Sequence, residues 1–286
     1  MRAWTQRGTL HILPARDLAW VLSVTSDRQL RAAAPRYREL GIDLAVLTTA
    51  ERAVRAALRG GNSLTRNGLF AVLESVGIDS SGQRGIHTIQ NLALRGILCQ
   101  GPVVARPDAI AREQLFVLTE EHIGASVAPS DPVTEMFVRY IDGHGPATAA
   151  DFAWWSGLTI TAARTAATAA GPRIIEVEPG LFLSPTRPRR SANTPAVLAL
   201  GSFEEYYISY ADRALVSDEG MRAAVGPGKN GMVRPILLAE GVVVGTWRHS
   251  TALGRLAERP TTDLLVDVSE SDAAAALARY AAFVTG

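Results

Sequence analysis

The sequence predicts an α+β protein made of tandem winged-helix modules, each a trio of short helices followed by a short β-hairpin wing. Helix caps and glycine stops punctuate the chain at short intervals. Inside those intervals apolar residues recur at helical spacing, and the order helix, helix, helix, hairpin occurs twice in succession.

Arg2 to Pro14 reads as extended, with Gly8 among the β-favouring Thr9, Leu10 and Ile12. Helices are expected near Asp17–Val24 and Asp27–Leu40, the second stopped by Gly41. Residues 1–47 thus form an N-terminal strand-and-helix segment, read as an incomplete module. Residues 48–128 carry the first full winged helix. Thr48-Thr-Ala-Glu51 has the capping-box pattern, in which hydroxyl and carboxylate satisfy each other's backbone N–H groups, and its helix runs to Gly60-Gly61. Thr65 caps the next helix, with Leu64 and Leu69 as a hydrophobic staple and Gly77 as terminator. Ser80-Ser-Gly-Gln83 opens a third helix, apolar at Ile86, Ile89, Leu92 and Ala93, which Gly96 ends. Ile97–Gln100 and Leu115–Leu118 form the wing.

Residues 129–190 repeat the order. Asp131-Pro132 starts a helix with proline at its first position, where the missing N–H costs nothing. Its apolar positions are Val133, Met136, Phe137, Tyr140 and Ile141, and His144-Gly145-Pro146 breaks it. Thr148-Ala-Ala-Asp151 caps a short helix bearing Phe152, Trp154 and Trp155, with at least one tryptophan expected in the core. Thr159–Ala170 supplies an Ala-rich third helix suited to packing, and Ile174–Val177 with Leu181–Leu183 turn at Pro179-Gly180. Ser184 to Pro195 reads as a linker. Residues 191–286 form a winged-helix-like module of altered order. It holds an aromatic stretch (Phe203 to Tyr210), a hairpin Ile236–Ala239 with Val242–Trp247 turning at Glu240-Gly241, a strand Leu264–Val268 and a helix from Ser269.

Hydrophobic residues make up 47% of the chain and charged residues 20%, an ordinary globular balance with no apolar run of membrane-spanning length. The first residues lack the apolar stretch of a secretory signal. A single cysteine, Cys99, excludes an internal disulfide framework, and no Cys/His spacing suits a metal. A cytoplasmic monomer without metal or cofactor is expected. The net charge is +1, but residues 1–118 hold 15 arginines and 9 acidic residues (+6), leaving −5 for the remainder. A basic face on the N-terminal part fits a nucleic-acid partner.

A winged helix reads DNA with its third helix and touches the backbone with its wing. On the first copy's third helix, Arg84, His87, Asn91 and Arg95 lie at helical spacing away from the core positions, and their side chains suit phosphate or base-edge contact. The wing adds Arg106 and Arg112. Gly226-Pro-Gly-Lys-Asn-Gly231 reads as a turn whose Lys229 can reach a phosphate. Glu205, Tyr206, Asp212 and Arg213 sit in the aromatic stretch, where a carboxylate either stabilises an oxocarbenium-like sugar and activates water or belongs to a salt-bridged core edge. With Arg7, His11 and Trp247 they make up a possible pocket.

Several runs resemble one family. Arg2-Ala-Trp-Thr-Gln-Arg-Gly-Thr-Leu-His11 is similar to its Arg-x-Trp-x-x-Arg-Gly-Thr-Leu-His segment. Gly143-His-Gly-Pro-Ala-Thr-Ala-Ala-Asp-Phe-Ala-Trp-Trp-Ser-Gly-Leu158 resembles its most recognisable stretch. Phe203-Glu-Glu-Tyr206 with Tyr210-Ala-Asp-Arg213 resembles a Phe-Asp-Glu-Tyr…Tyr-x-Asp-Arg block, and Gly245-Thr-Trp-Arg248 a hairpin end. The family is the winged-helix DNA-binding group that includes the AlkZ-type DNA glycosylases. The resemblance implies a concave double-stranded DNA-binding surface and metal-independent excision of alkylated or crosslinked bases. Family glycosylases use a Gln-x-Gln or similar motif upstream of the Arg-x-Trp segment. This chain holds none, since Gln6, Gln29, Gln83, Gln90, Gln100 and Gln114 stand apart. No catalytic residue is carried over. Because Met1 falls immediately before an extended element whose edge would lack a partner, an N-terminal truncation and an inactive chain are expected. The alternative is a non-catalytic DNA-binding protein or transcriptional regulator.

Overall fold

Local polar caps and left-handed glycines set many of the element boundaries, and burial overrides them at others. The computed structural model describes residues 1–106, 113–124, 126–186, 194–228, 231–250, 252, 255 and 258–285. The chain begins with β1 (Arg2–Trp4), β2 (Leu10–Ile12), α1 (Leu18–Glu39), α2 (Leu44–Leu58), α3 (Arg66–Ser75) and α4 (Arg84–Leu94). Then come β3 (Leu98–Val103), β4 (Gln114–Leu118), α5 (Thr119–His122), α6 (Pro132–His144), β5 (Ala147–Thr148), α7 (Ala149–Ser156) and α8 (Ile160–Ala170). The remainder holds β6 (Ile175–Glu178), β7 (Leu181–Leu183), β8 (Val197–Leu200), α9 (Glu205–Ile208) and α10 (Glu219–Val225). It closes with β9 (Ile236–Ala239), β10 (Val242–Arg248), β11 (Thr261–Leu264) and α11 (Glu270–Thr285). The named strands pair antiparallel, which makes this an α+β fold. None of the described helices is long and apolar enough to cross a membrane.

The chain divides into two units, with the segment 129–190 shared between them. The first takes in Met1–Ala105, Ala111–Tyr140 and Ser156–Arg173. The second takes in Arg106–Ile110, Ile141–Trp155 and Ile174–Gly286. In the first unit a four-stranded sheet has the order β2-β1-β3-β4. Alternation of side chains puts Trp4, Leu98, Phe116 and Leu118 on one face, against Ala50, Val54 and Leu58 of α2, Leu69 and Leu73 of α3, and Ile89 and Leu92 of α4. Ala3, Cys99 and Val117 take the opposite face, against Leu18 and Leu22 of α1. Both sides of the sheet are therefore buried. The extended segment expected to lack a partner is instead an interior strand, since Arg2 pairs with Ile12 on one side and Gln100 on the other. A boundary at residue 47 accordingly cuts through one sheet and its covering helix.

Three expected boundaries change because packing overrides local signals. The two helices expected over residues 17–40 are one, α1, which continues through Asp27 and Pro35. Thr25 is buried and turns its hydroxyl back onto the Val21 carbonyl (2.9 Å), a helix-interior bond rather than a cap. In α2 the cap is Asp43, whose carboxylate accepts from the Val46 N–H at 2.8 Å. Thr48 is already inside that helix and Glu51 is held by Arg55 and Arg95. Before α4, Ser80 turns to Glu74, and Gln83 precedes the helix at φ +76°. Thr65, by contrast, caps α3 as expected, accepting from the Gly68 N–H at 3.1 Å. Thr65→Ala is expected to cost about 1 kcal/mol, read as a lowered midpoint in urea unfolding at unchanged slope.

In the second unit the sheet order is β11-β10-β9-β8. Ile236, Leu238, Leu198 and Val243 meet Tyr207, Met221 and Val225 on one face. Leu237, Val197, Val244 and Trp247 meet Ala276 and Leu277 of α11 on the other. A sheet buried on both faces explains why these runs read as nearly continuous apolar sequence. The hairpin turns at Glu240 (φ +49°) and Gly241 (φ +82°), the two consecutive left-handed residues that a tight hairpin matching strand twist demands. The capping box at α7 forms as its pattern requires, with the Asp151 N–H on the Thr148 hydroxyl (3.1 Å) and the Thr148 N–H on the Asp151 carboxylate (2.9 Å). A small third sheet runs β5-β7-β6. The strand expected at Leu264–Val268 is shifted to Thr261–Leu264.

Candidate functional site

The expected DNA-reading helix does not present its polar face to solvent. No residue of α4 from Arg84 to Leu94 is exposed, because α1 packs along the side that a free winged helix would leave open. Asn91 is 4% exposed, and its Oδ1 is buried with no hydrogen-bond partner among the described residues. His87 lies edge-on to Tyr37 of α1, with Nδ1 buried and unpartnered among the described residues. Burial, helped by the nearby Arg36 charge, lowers the His87 pKa and favours a neutral ring. Arg84 donates to the Gly41 carbonyl at 3.0 Å and Arg95 pairs with Glu51 at 2.6 Å, so both guanidiniums bridge helices. Of the four residues, His87 faces α1, whereas Arg95 is exposed and faces α2. Arg106 is exposed, whereas Arg112 and Lys229 lie outside the described residues.

The pocket residues separate into the two units. In the first, Arg7 sits at φ +56°, and its backbone and side chain crowd Gly157, where an added Cβ would lie 3.2 Å from the Arg7 Cγ. His11 Nδ1 meets the buried Thr5 hydroxyl at 2.9 Å, and that hydroxyl donates to Gln6 Oε1 at 2.7 Å. In the second unit, Trp247 is a core residue. It is 6% exposed, tilted over Tyr280 at 4.4 Å, and donates to the Leu200 carbonyl at 2.8 Å. Asp212 is exposed and accepts from the Ala214 N–H, a local turn. Tyr206 donates to the Gly241 carbonyl at 2.7 Å. Asp212, Tyr206 and Trp247 therefore serve local turns or packing.

Glu205 has a different environment. Its Oε2 accepts from the Trp155 indole N–H at 2.8 Å, from the His144 Nε2–H at 3.2 Å and from the Ser209 hydroxyl. Partial burial pushes this carboxyl up, but the bonds from His144, Ser209 and Trp155 outweigh it and hold the pKa at about 2. The group is a permanent anion at neutral pH. Its neighbours are tied in as well. Tyr210, pushed up to about 12 by burial and then by the Asp151 charge, stays protonated and donates to the His144 carbonyl at 2.6 Å. Asp151 accepts from the Ala211 N–H at 2.9 Å, and Arg213 lies over the rings of Trp154 and Tyr207.

The tryptophan expected in the core is therefore not there: Trp154 is 45% exposed and Trp155 half-buried, while Phe152 fills the core. An indole N–H needs an acceptor, and Ile208 and Glu205 supply one to each ring at the surface of the cluster. The partner of His144 lies 61 residues away in the chain, so spacing alone does not point to it. The one signal that could have found it is that both belong to recognisable runs, Gly143-His-Gly-Pro and Phe203-Glu-Glu-Tyr. The Glu205 carboxylate is one of the groups that tie these two segments together, with the Tyr210–His144, Trp154–Ile208 and Asp151–Ala211 bonds beside it.

The model of the AlkZ-like DNA glycosylase family matches residues 1–283. An interstrand DNA cross-link repair glycosylase of Streptomyces sahachiroi is 26% identical over 267 residues, spanning 86% of this chain and 70% of the relative. The solved structure of the Streptomyces sahachiroi DNA glycosylase AlkZ is similar in fold, with a TM-score of 0.68 at 22% identity, covering 99% of this chain and 79% of that one. The chain belongs to the AlkZ-like DNA glycosylase family.

Proposed function

We propose that this protein binds double-stranded DNA in the cytoplasm as a monomer, and that its family's chemistry, hydrolysis of the N-glycosidic bond of alkylated or crosslinked bases, is idle in this chain, which carries no Gln-x-Gln run. The observation that carries this reading is the family match over residues 1–283, joined to the docking of two motif stretches through Glu205. The helix trio α2–α4 with the β3–β4 hairpin is read as a winged helix, and α6–α8 with β6–β7 as a second. Since α4 is covered by α1, the phosphate contacts fall to exposed arginines of the basic N-terminal part, Arg106 among them. The reaction needs water delivered to the sugar carbon as the bond to the base breaks, and a cationic lesion leaves readily. Glu205 is given a positioning role, holding the two motif stretches together.

Binding of duplex DNA by the purified chain should weaken steeply with salt, log affinity falling by about 0.9 per phosphate contact for each log unit of salt. A duplex carrying an alkylated base should be bound without release of free base, and release would overturn the inactivity. Absence of binding even at low salt would sink the DNA reading. Binding without base release would leave DNA binding without excision standing, as the lack of a Gln-x-Gln run in this sequence favours.

A further inference from the structure

We propose that a cavity on the inner face of the β2-β1-β3-β4 sheet is a receptor for one unstacked nucleotide of a DNA strand. This rests on the DNA-binding reading and goes beyond it by assigning a place for a single base. The cavity has a volume of about 430 Å³, within the roughly 300–1,000 Å³ usual for small-molecule sites. All of its lining residues belong to the first unit.

The register builds the site. Arg2, Gln100 and Phe116 are successive cross-strand partners on β1, β3 and β4, so their side chains share one face of the sheet. Trp4 stands two residues along β1 on that same face and lies nearly parallel to Phe116, with an interplanar angle of 14° and a centroid distance of 6.0 Å. Arg66, at the first position of α3, and Glu113 complete the rim, leaving two guanidiniums against one carboxylate. Within this lining Gln100 is only 7% exposed, and its Oε1 is buried with no hydrogen-bond partner among the described residues. An unpaired buried amide oxygen costs free energy unless something donates to it.

The three elements together select the ligand chemistry. A half-buried indole offers a stacking surface for a flat ring, the Gln100 oxygen accepts an N–H from the edge of that ring, and two guanidiniums attract an anionic group attached to it. A nucleobase with its phosphate carries all three. A base inside an intact duplex cannot reach such a recess, so the occupant must be unstacked.

The test compares affinities of the purified full chain for three duplexes of one sequence: fully paired, carrying a single-base bulge, and carrying an abasic linker at the bulge. The bulged duplex should bind roughly tenfold tighter than the paired one, in line with what one stacked base contributes, and the abasic form should lose that gain. Gln100→Leu should bring the bulged-to-paired ratio near one while the melting temperature holds or rises, since the orphaned amide is gone. Arg66→Ala, at an exposed position, should lower the ratio with the fold unchanged. Equal affinity of the wild-type chain for bulged and paired duplexes, or an undiminished ratio in folded Gln100→Leu, would overturn the nucleotide site and leave DNA binding standing. Failure to bind any of the three at low salt would overturn both.

Discussion

Replacing Asn91 by lysine should destabilise this protein by roughly 3–5 kcal/mol, the penalty of an uncompensated buried charge, and lower its melting temperature by on the order of 10 °C. Asn91 is 4% exposed, and the groups around it on α4 and α1 are Arg84, His87 and Tyr37, with Arg36 acting on His87. None of these offers a carboxylate, and the arginines repel a new ammonium. If the α4 face were a solvent-facing DNA reader, the same change would move stability by less than about 0.5 kcal/mol and tighten binding to phosphate. Differential scanning calorimetry of the variant separates the two accounts. Arg95→Ala supplies the contrast, because its pair with Glu51 is partly exposed and should be worth under about 1 kcal/mol.

Glu205→Gln should cost about 2 kcal/mol at neutral pH, a figure already reduced for solvent screening of a carboxylate whose side chain is 43% exposed. The pH dependence has a definite sign. In the folded chain Glu205 titrates at about 2, below its ordinary 4.5, so its contribution is complete above the unfolded value and disappears as pH falls from about 5 through 2. Melting curves of wild type and variant should therefore lie apart at pH 7 and converge by about pH 2–3. Other carboxylates with lowered pKa values, such as Glu51 and Glu135, destabilise both proteins alike on acidification, so the difference between the curves isolates Glu205. A gap that stays constant with pH would mean that Glu205 acts by shape rather than charge. Retained DNA affinity in the variant would place its influence on positioning and not on binding.

Where a signal was local and its groups had no competing partner, the sequence determined the structure. The Thr65 cap, the Thr148/Asp151 capping box, Pro132 at the first turn of α6 and the Glu240-Gly241 turn each satisfy their own backbone within four residues, so no tertiary contact was needed to predict them. The family runs were legible for the same reason, as contiguous strings of residues. What the sequence could not decide was which apolar or polar face meets which partner. Periodicity set Asn91 and His87 opposite Leu92, but only the packing of α1 decided that this face would be covered. Spacing along the chain also hid the meeting of His144 with Glu205 across 61 residues and the row of Arg2, Gln100 and Phe116 across three strands. These are juxtapositions of chain-distant segments, fixed by strand register and helix docking, where the free energy lies in burying whole faces and not in the preference of any one residue.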